Sequence, residues 1–334
     1  MVQDKELSIP NEKRSWRKLL WLGKLVVTLL ILSYIYRTFQ NEQKGIRDVG
    51  VVFRRILSRE HSGILILMLI LVPLNWALES LKWRQLAKKV VDLSFWEAFR
   101  GILTGLAIGV AAPAQLGDTL GRVASLKSDK RLRAIGAAVI SNGIQFYVSV
   151  VFGAVGWFFL NDRLNLPPAS RQLLNIMLLL IVSLGFILIP LRGKIKGWHP
   201  SNKYLTKTKS YVSIIGEYTV FDIALSTFYG TLRYMVFLTQ FILALSLFEF
   251  PLTALELSSC VALIFLAKTL IPAINVLGDL GLREFTALFV FKQYNLPAEE
   301  IITATFLVWV INVLGPILIG IFLIWKYKWQ NPAR

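Results

Sequence analysis

The sequence predicts an all-α integral membrane protein, and three observations predict it. Apolar residues make up 55% of the 334 positions, above the roughly 45–50% of ordinary globular domains. Several apolar runs approach ~20 residues, the length that crosses a ~30 Å hydrocarbon core. Lys and Arg collect in the segments between those runs, as the positive-inside bias requires of a multi-pass protein. The full expectation is about six spanning helices, two re-entrant helical hairpins in inverted repeats, and one interfacial amphipathic helix.

The elements follow in order. Residues 1–18 form a basic tail placed in the cytoplasm. Residues 19–326 form a single transmembrane domain, and 327–334 a short cytoplasmic tail. Spans are expected at 19–39, 63–83, 134–160, 172–191, 219–247 and 298–325. Residues 44–59 place Ile46, Val49, Phe53, Ile56 and Leu57 at helical spacing, with Arg47, Arg54, Arg55 and Arg59 between them. That alternation fits a helix lying in the membrane interface. About 18 mostly polar residues precede the first apolar run, which lacks a small-residue cleavage site; a signal peptide is not expected.

Two segments, 94–126 and 253–291, are too interrupted to be simple spans. Each has an apolar first arm, a Pro/Gly-containing turn and a short second arm. The turns read Pro113-Ala114-Gln115-Leu116-Gly117-Asp118 and Pro272-Ala273-Ile274-Asn275-Val276-Leu277-Gly278-Asp279. The second arms are too short to cross, which favours re-entrant hairpins. Irregular backbone at that depth is tolerated only inside protein or along a wet cavity. With the N-terminus cytoplasmic, this arrangement places most Lys and Arg inside. The exception is the proposed interfacial helix.

The two turns share a pattern. Leu116-Gly117-Asp118 is followed by Arg122, and Leu277-Gly278-Asp279 by Arg283. Each hairpin has a spanning helix before and after it, giving repeat units at about 63–160 and 219–325. In this topology the hairpins enter from opposite sides, so the units are inverted. Inverted repeats with broken helices mark many secondary transporters. A short arm starting near the midplane offers free N–H groups and a partial positive charge, and Arg122 and Arg283 can clamp an anion bidentately. The bland alternative is that Asp118 and Asp279 cap their arms and neutralise arginines one turn on.

Other charges in apolar surroundings join the candidate list, because such charge is costly in a membrane. Glu79 lies near the end of the second span and can pair with Lys82 or Arg84, which are expected to snorkel to the interface. Arg233 sits mid-span and needs a partner, either Asp222 or a substrate anion. Lys268 lies four residues before Pro272. Gln115 lies in the first turn, and Glu284 beside Arg283. Asn142, Gln145, Asn275 and Asn312 are read as helix–helix hydrogen-bonding residues. The candidate substrate-binding set is therefore Glu79, Gln115, Asp118, Arg122, Arg233, Lys268, Asp279, Arg283 and Glu284.

Several classes of function are disfavoured. The formal charge is +17, but it is scattered over short loops, which fits anionic lipid headgroups better than nucleic acid. One cysteine and two distant histidines argue against a Cys/His metal site. No G-x-S-x-G, H-E-x-x-H or Walker loop occurs. No catalytic residue, metal or cofactor is expected, and transport would run downhill or on an ion gradient.

Three stretches resemble the transmembrane region of the lysylphosphatidylglycerol synthase family, the flippase-like proteins. They are Lys82-Trp83-Arg84 followed by Leu93-Ser94-Phe95-Trp96-Glu97-Ala98, then Pro113 to Arg122, then Leu280-Gly281-Leu282-Arg283-Glu284 followed by Leu296-Pro297. The resemblance covers roughly residues 20–325. Departures are Gln115 where the family usually has Arg, Asp118 where it has Glu, Leu277-Gly278-Asp279 in place of Pro-Gly-Gly before the second Leu-Gly, and Ser141-Asn142, with Gln145 nearby, in place of a Glu-Arg pair. The resemblance implies a module that moves or binds lipids in the cell (inner) membrane. It implies no aminoacyl-transfer activity, since the soluble domain of fused members would follow Arg334. The expectation is a flippase-like transporter or binder of a lipid-linked anionic substrate. The alternatives are a membrane-embedded transferase on a lipid phosphate, with Asp118, Asp279 or Glu284 as base, and a non-transporting partner in an envelope complex.

Overall fold

The computed structural model describes residues 59–111, 116–124, 126, 131–164, 166–191, 194, 213–271 and 282–326, together with four isolated helical positions, Leu22, Val26, Leu29 and Ser33. The remaining expectations for 1–58, including most of the first span and all but Arg59 of the interfacial helix at 44–59, lie outside the described residues. So do residues 113–115 of the first hairpin turn, the whole second turn at 272–279 and the C-terminal tail, while Leu116-Gly117-Asp118 opens a described helix.

All regular structure among the described residues is helical. In chain order the helices are α1 (Ser62–Ala87), α2 (Phe95–Ala111), α3 (Leu116–Ala124), α4 (Arg131–Leu160), α5 (Pro168–Leu191), α6 (Val220–Ser246), α7 (Ala254–Leu270), α8 (Leu282–Phe291), α9 (Ala298–Trp309) and α10 (Gly315–Lys326). A π turn, Val310–Leu314, joins α9 to α10 without a break. Among the described residues, five stretches are long and apolar enough to cross a membrane: Ser62–Ala87, Arg133–Leu160, Pro168–Leu188, Val220–Ser246 and Ala298–Lys326. Each falls on a span expected from the sequence. The first runs four residues further than expected, to Ala87, because Trp83, Leu86 and Ala87 are buried and extend the packed face.

The two interrupted segments fold into two pairs of helices of matching size. α2 has 17 residues and α3 has 9; α7 has 17 and α8 has 10. At 1.5 Å per residue the short arms reach only about 14–15 Å, half of a ~30 Å core. Both long arms begin at a capping box. Ser94 Oγ donates to Glu97 Oε2 at 2.7 Å and accepts from the Glu97 N–H at 3.3 Å. Thr253 Oγ1 donates to Glu256 Oε2 at 2.8 Å and accepts from the Glu256 N–H at 3.2 Å. These boxes satisfy otherwise orphaned donors where each arm starts.

Packing is reciprocal between the two halves. α1 packs on α6, and the two run antiparallel: Met68 meets Gln240, Glu79 meets Arg233, and Leu86 meets Tyr218. α2 packs on α10, and correspondingly α7 packs on α4. α3 packs on α4, and α8 on α9. Glycines permit both cross-contacts. A Cβ on Gly320 of α10 would collide with the Leu103 carbonyl of α2. A Cβ on Gly153 of α4 would come 2.6 Å from Leu266 Cβ of α7. Within the first pair, a Cβ on Gly121 would lie 2.5 Å from Gly105 Cα. Such close backbone approach is how small residues drive helix association in lipid. α5 stands at the periphery, with Leu173, Leu179, Leu180 and Phe186 exposed, a surface suited to lipid.

Candidate functional site

Charge is concentrated where α1, α3, α4 and α6 meet. Glu79 lies on α1, which places Asn75, Glu79 and Lys82 on one face by their spacing of four and three. Glu79 Oε1 accepts from Arg122 Nη1 at 2.8 Å, and Oε2 lies 2.8 Å from Lys82 Nζ and 3.3 Å from Arg233 Nε. Arg122, on the short arm α3, also grips Asp118 bidentately, with Nε to Oδ1 at 2.9 Å and Nη2 to Oδ2 at 2.7 Å. Lys82 Nζ donates to Gln145 Oε1 of α4 at 3.0 Å. Arg233 sits over the Trp76 ring, 5.4 Å from its centroid, a cation–π contact strengthened by desolvation.

Burial sharpens the electrostatics. Glu79 is 2% exposed and Lys82 fully buried. Among the described residues, three cations (Lys82, Arg122, Arg233) share two carboxylates (Glu79, Asp118), and these five groups carry one positive charge in excess. Arg233 is the least tied of the three. Its side chain is 22% exposed, and its Nε faces Glu79 without hydrogen-bond alignment. An arrangement of this kind stabilises a singly charged anion and orients it through planar guanidinium donors.

The structure brings together Glu79, Asp118, Arg122 and Arg233 of the candidate set. Arg283 and Glu284 form a buried pair on α8, with Nη2 to Oε1 at 2.5 Å. Lys268 lies half-buried in the last turn of α7. Gln115 and Asp279 fall outside the described residues. Two sequence expectations need correction. Lys82 does not snorkel; it turns inward because Glu79 and Gln145 supply acceptors, while Arg84 Nε donates to the Leu93 carbonyl at 2.7 Å. Arg233 pairs with Glu79 rather than Asp222. Asp222 is committed to the α6 capping box with Thr219 and to Gln85 and Lys89. At that same end Tyr218 donates to the Leu86 carbonyl at 2.8 Å, and burial pushes its phenol above the ordinary range.

Sequence reasoning named Asn312 as a helix–helix hydrogen-bonding residue but missed its partners Asn75 and Gln240. Gln240 Nε2 donates to the Met68 carbonyl at 2.9 Å, Asn312 Nδ2 to Gln240 Oε1 at 2.8 Å, and Asn75 Nδ2 to Asn312 Oδ1 at 3.3 Å. The available signal was the Asn75–Glu79–Lys82 stripe. The π turn that swings Asn312 inward left no trace in the hydropathy pattern. Among the described residues, no cluster of three His, Cys, Asp or Glu suited to a metal occurs.

Comparison with known proteins yields one finding. No curated protein and no solved structure matches the chain significantly. The family model described as lysylphosphatidylglycerol synthase TM region matches residues 21–320. That match takes in every helix described above except the last turns of α10, and the chain therefore belongs to the lysylphosphatidylglycerol synthase transmembrane-region family.

Proposed function

We propose that the protein is a flippase-type transporter in the cell (inner) membrane, with both termini cytoplasmic, that holds the anionic headgroup of a lipid at the Glu79–Arg122–Arg233 cluster. The observation that carries this reading is the single excess positive charge buried between a short hairpin arm and the antiparallel α1–α6 pair. Glu79 stands where the headgroup would compete for Arg122 and Arg233. The paired α2–α3 and α7–α8 units, of matching length and reciprocal packing, support re-entrant hairpins in inverted repeats. Such halves can rock about a central site. The tails would remain in lipid while only the headgroup enters protein. The membrane-transferase alternative lacks a comparable observation among the described residues: of its three candidate bases, Asp118 is ion-paired with Arg122 and Glu284 with Arg283, and Asp279 lies outside the described residues.

The test is to identify lipids that co-purify with the wild type and with a folded Arg122→Ala/Arg233→Ala variant, by mass spectrometry after mild detergent extraction. Enrichment of one anionic lipid in the wild type and its loss in the variant is the expected outcome. Identical, unselective lipids in both would remove the headgroup reading and favour a structural role in an envelope complex.

A further inference from the structure

The amide chain has a direction, and its end is unsatisfied. The Met68 carbonyl can only accept, so Gln240 must present Nε2 to it. Gln240 Oε1 then accepts from Asn312 Nδ2, and Asn312 Oδ1 accepts from Asn75 Nδ2. Each amide fixes the orientation of the next. The chain ends at Asn75 Oδ1, which has no donor, on a side chain only 2% exposed. A buried acceptor without a donor is costly, and more so at membrane depth, where no solvent compensates.

Its position indicates what would satisfy it. Asn75 lies one turn from Glu79 on the same face of α1, roughly 5–6 Å away. It therefore adjoins the place where the proposed headgroup charge would sit. The neighbouring cluster carries excess positive charge, which disfavours an ammonium donor. A neutral hydroxyl has no such penalty. Gln240 and Asn312 are 0% and 1% exposed, so the Asn75 amide is held by two fully packed positioning residues.

We infer that Asn75 Oδ1 is a second subsite that accepts a hydrogen bond from a hydroxyl of the headgroup, so that the protein selects a hydroxyl-bearing phosphodiester lipid over an equally charged lipid without one. This inference rests on the headgroup reading, and it adds a chemical preference that charge alone does not supply. Sites built to hydrogen-bond a hydroxyl discriminate against analogues lacking it, because the buried partner is then left unmade.

The test compares three lipids binding to the full chain in detergent by native mass spectrometry. They are phosphatidylglycerol, phosphatidylethanol (the same single charge with no hydroxyl), and phosphatidylethanolamine. The expected result is phosphatidylglycerol over phosphatidylethanol by roughly tenfold, with phosphatidylethanolamine weakest. In Asn75→Leu the first two should become equal, with phosphatidylethanol binding as in the wild type. Equal binding of phosphatidylglycerol and phosphatidylethanol to the wild type overturns the subsite and leaves the headgroup reading standing. Failure of either anionic lipid to bind above phosphatidylethanolamine overturns both. The wild-type comparison decides even where Asn75→Leu does not fold.

Discussion

The two hairpins are built alike and charged differently. Each has a 17-residue arm opened by a capping box and a short second arm that carries an arginine, in the last turn of the first and at the start of the second. Around the first, Arg122 reaches across to Glu79 on another helix and draws in Lys82 and Arg233. On the second, Arg283 is answered by its chain neighbour Glu284. The sequence separation that relates Arg122 to Arg283 also relates Glu79 to Gln240. Where one half places a carboxylate, the other places an amide, which joins the Asn75–Asn312 chain instead. Two helix pairs of similar size can thus carry different chemistry. The frame is set by glycine contacts and arm lengths that recur in both halves, and the chemistry by a few polar positions that do not.

Substitutions can break or sharpen this contrast. The largest effect is expected at Glu79→Ala, which strands Lys82 and Arg122 in a buried setting. Removing one partner of a buried ion pair costs about 3–5 kcal/mol, so thermal unfolding in mild detergent should shift strongly downward. Glu79→Gln should soften that loss by keeping the acceptor oxygen. The counterpart, Gln240→Leu, breaks two hydrogen bonds but strands no charge. It should cost about 1–3 kcal/mol, and a larger loss than at Glu79 would invert the proposed roles of the two halves.

Gly320→Ala and Gly153→Ala probe the shared frame rather than the charges. Overpacking costs about 1–3 kcal/mol. The Gly320 change should lie near the top of that range and the Gly153 change near the bottom. The new methyl at Gly320 meets the Leu103 backbone, whereas at Gly153 it meets the Leu266 side chain. Equal melting shifts would contradict this reading. The smallest effect is expected at Arg163→Gln, which removes an exposed pair with Glu256 at the mouth of the second hairpin. Exposed pairs contribute little, and no shift should be detectable at moderate salt.

Much of this architecture was legible in the sequence. Five expected spans fall on long apolar helices, because bilayer thickness fixes the length of any apolar run that crosses it. The interrupted segments were visible as paired arms, because Pro and Gly close together in a polar-interrupted run break a helix, whereas the lone Pro73 and Pro190 sit inside continuous ones. The Asp118–Arg122 pair followed from a spacing of four. The fate of Lys82 did not follow. A lysine near the end of an apolar run reads as interfacial unless a buried acceptor is known, and Gln145 lies on a different helix. Arg233 was matched to Asp222 or a substrate anion, and only packing brought Glu79 to it instead.

What the sequence determined by itself was therefore local: helix lengths, caps, breaks and the i to i+4 pair. Each of these depends on residues a few positions apart and on the thickness of the membrane. What only the tertiary structure decided was which distant groups share a buried space. The Glu79 cluster draws on α1, α3, α4 and α6, and the amide chain on α1, α6 and the π turn. Contacts between helices depend on crossing position and rotation about the helix axis. Those are fixed by glycine close approaches and buried side chains spread along the whole chain, and no local pattern encodes them.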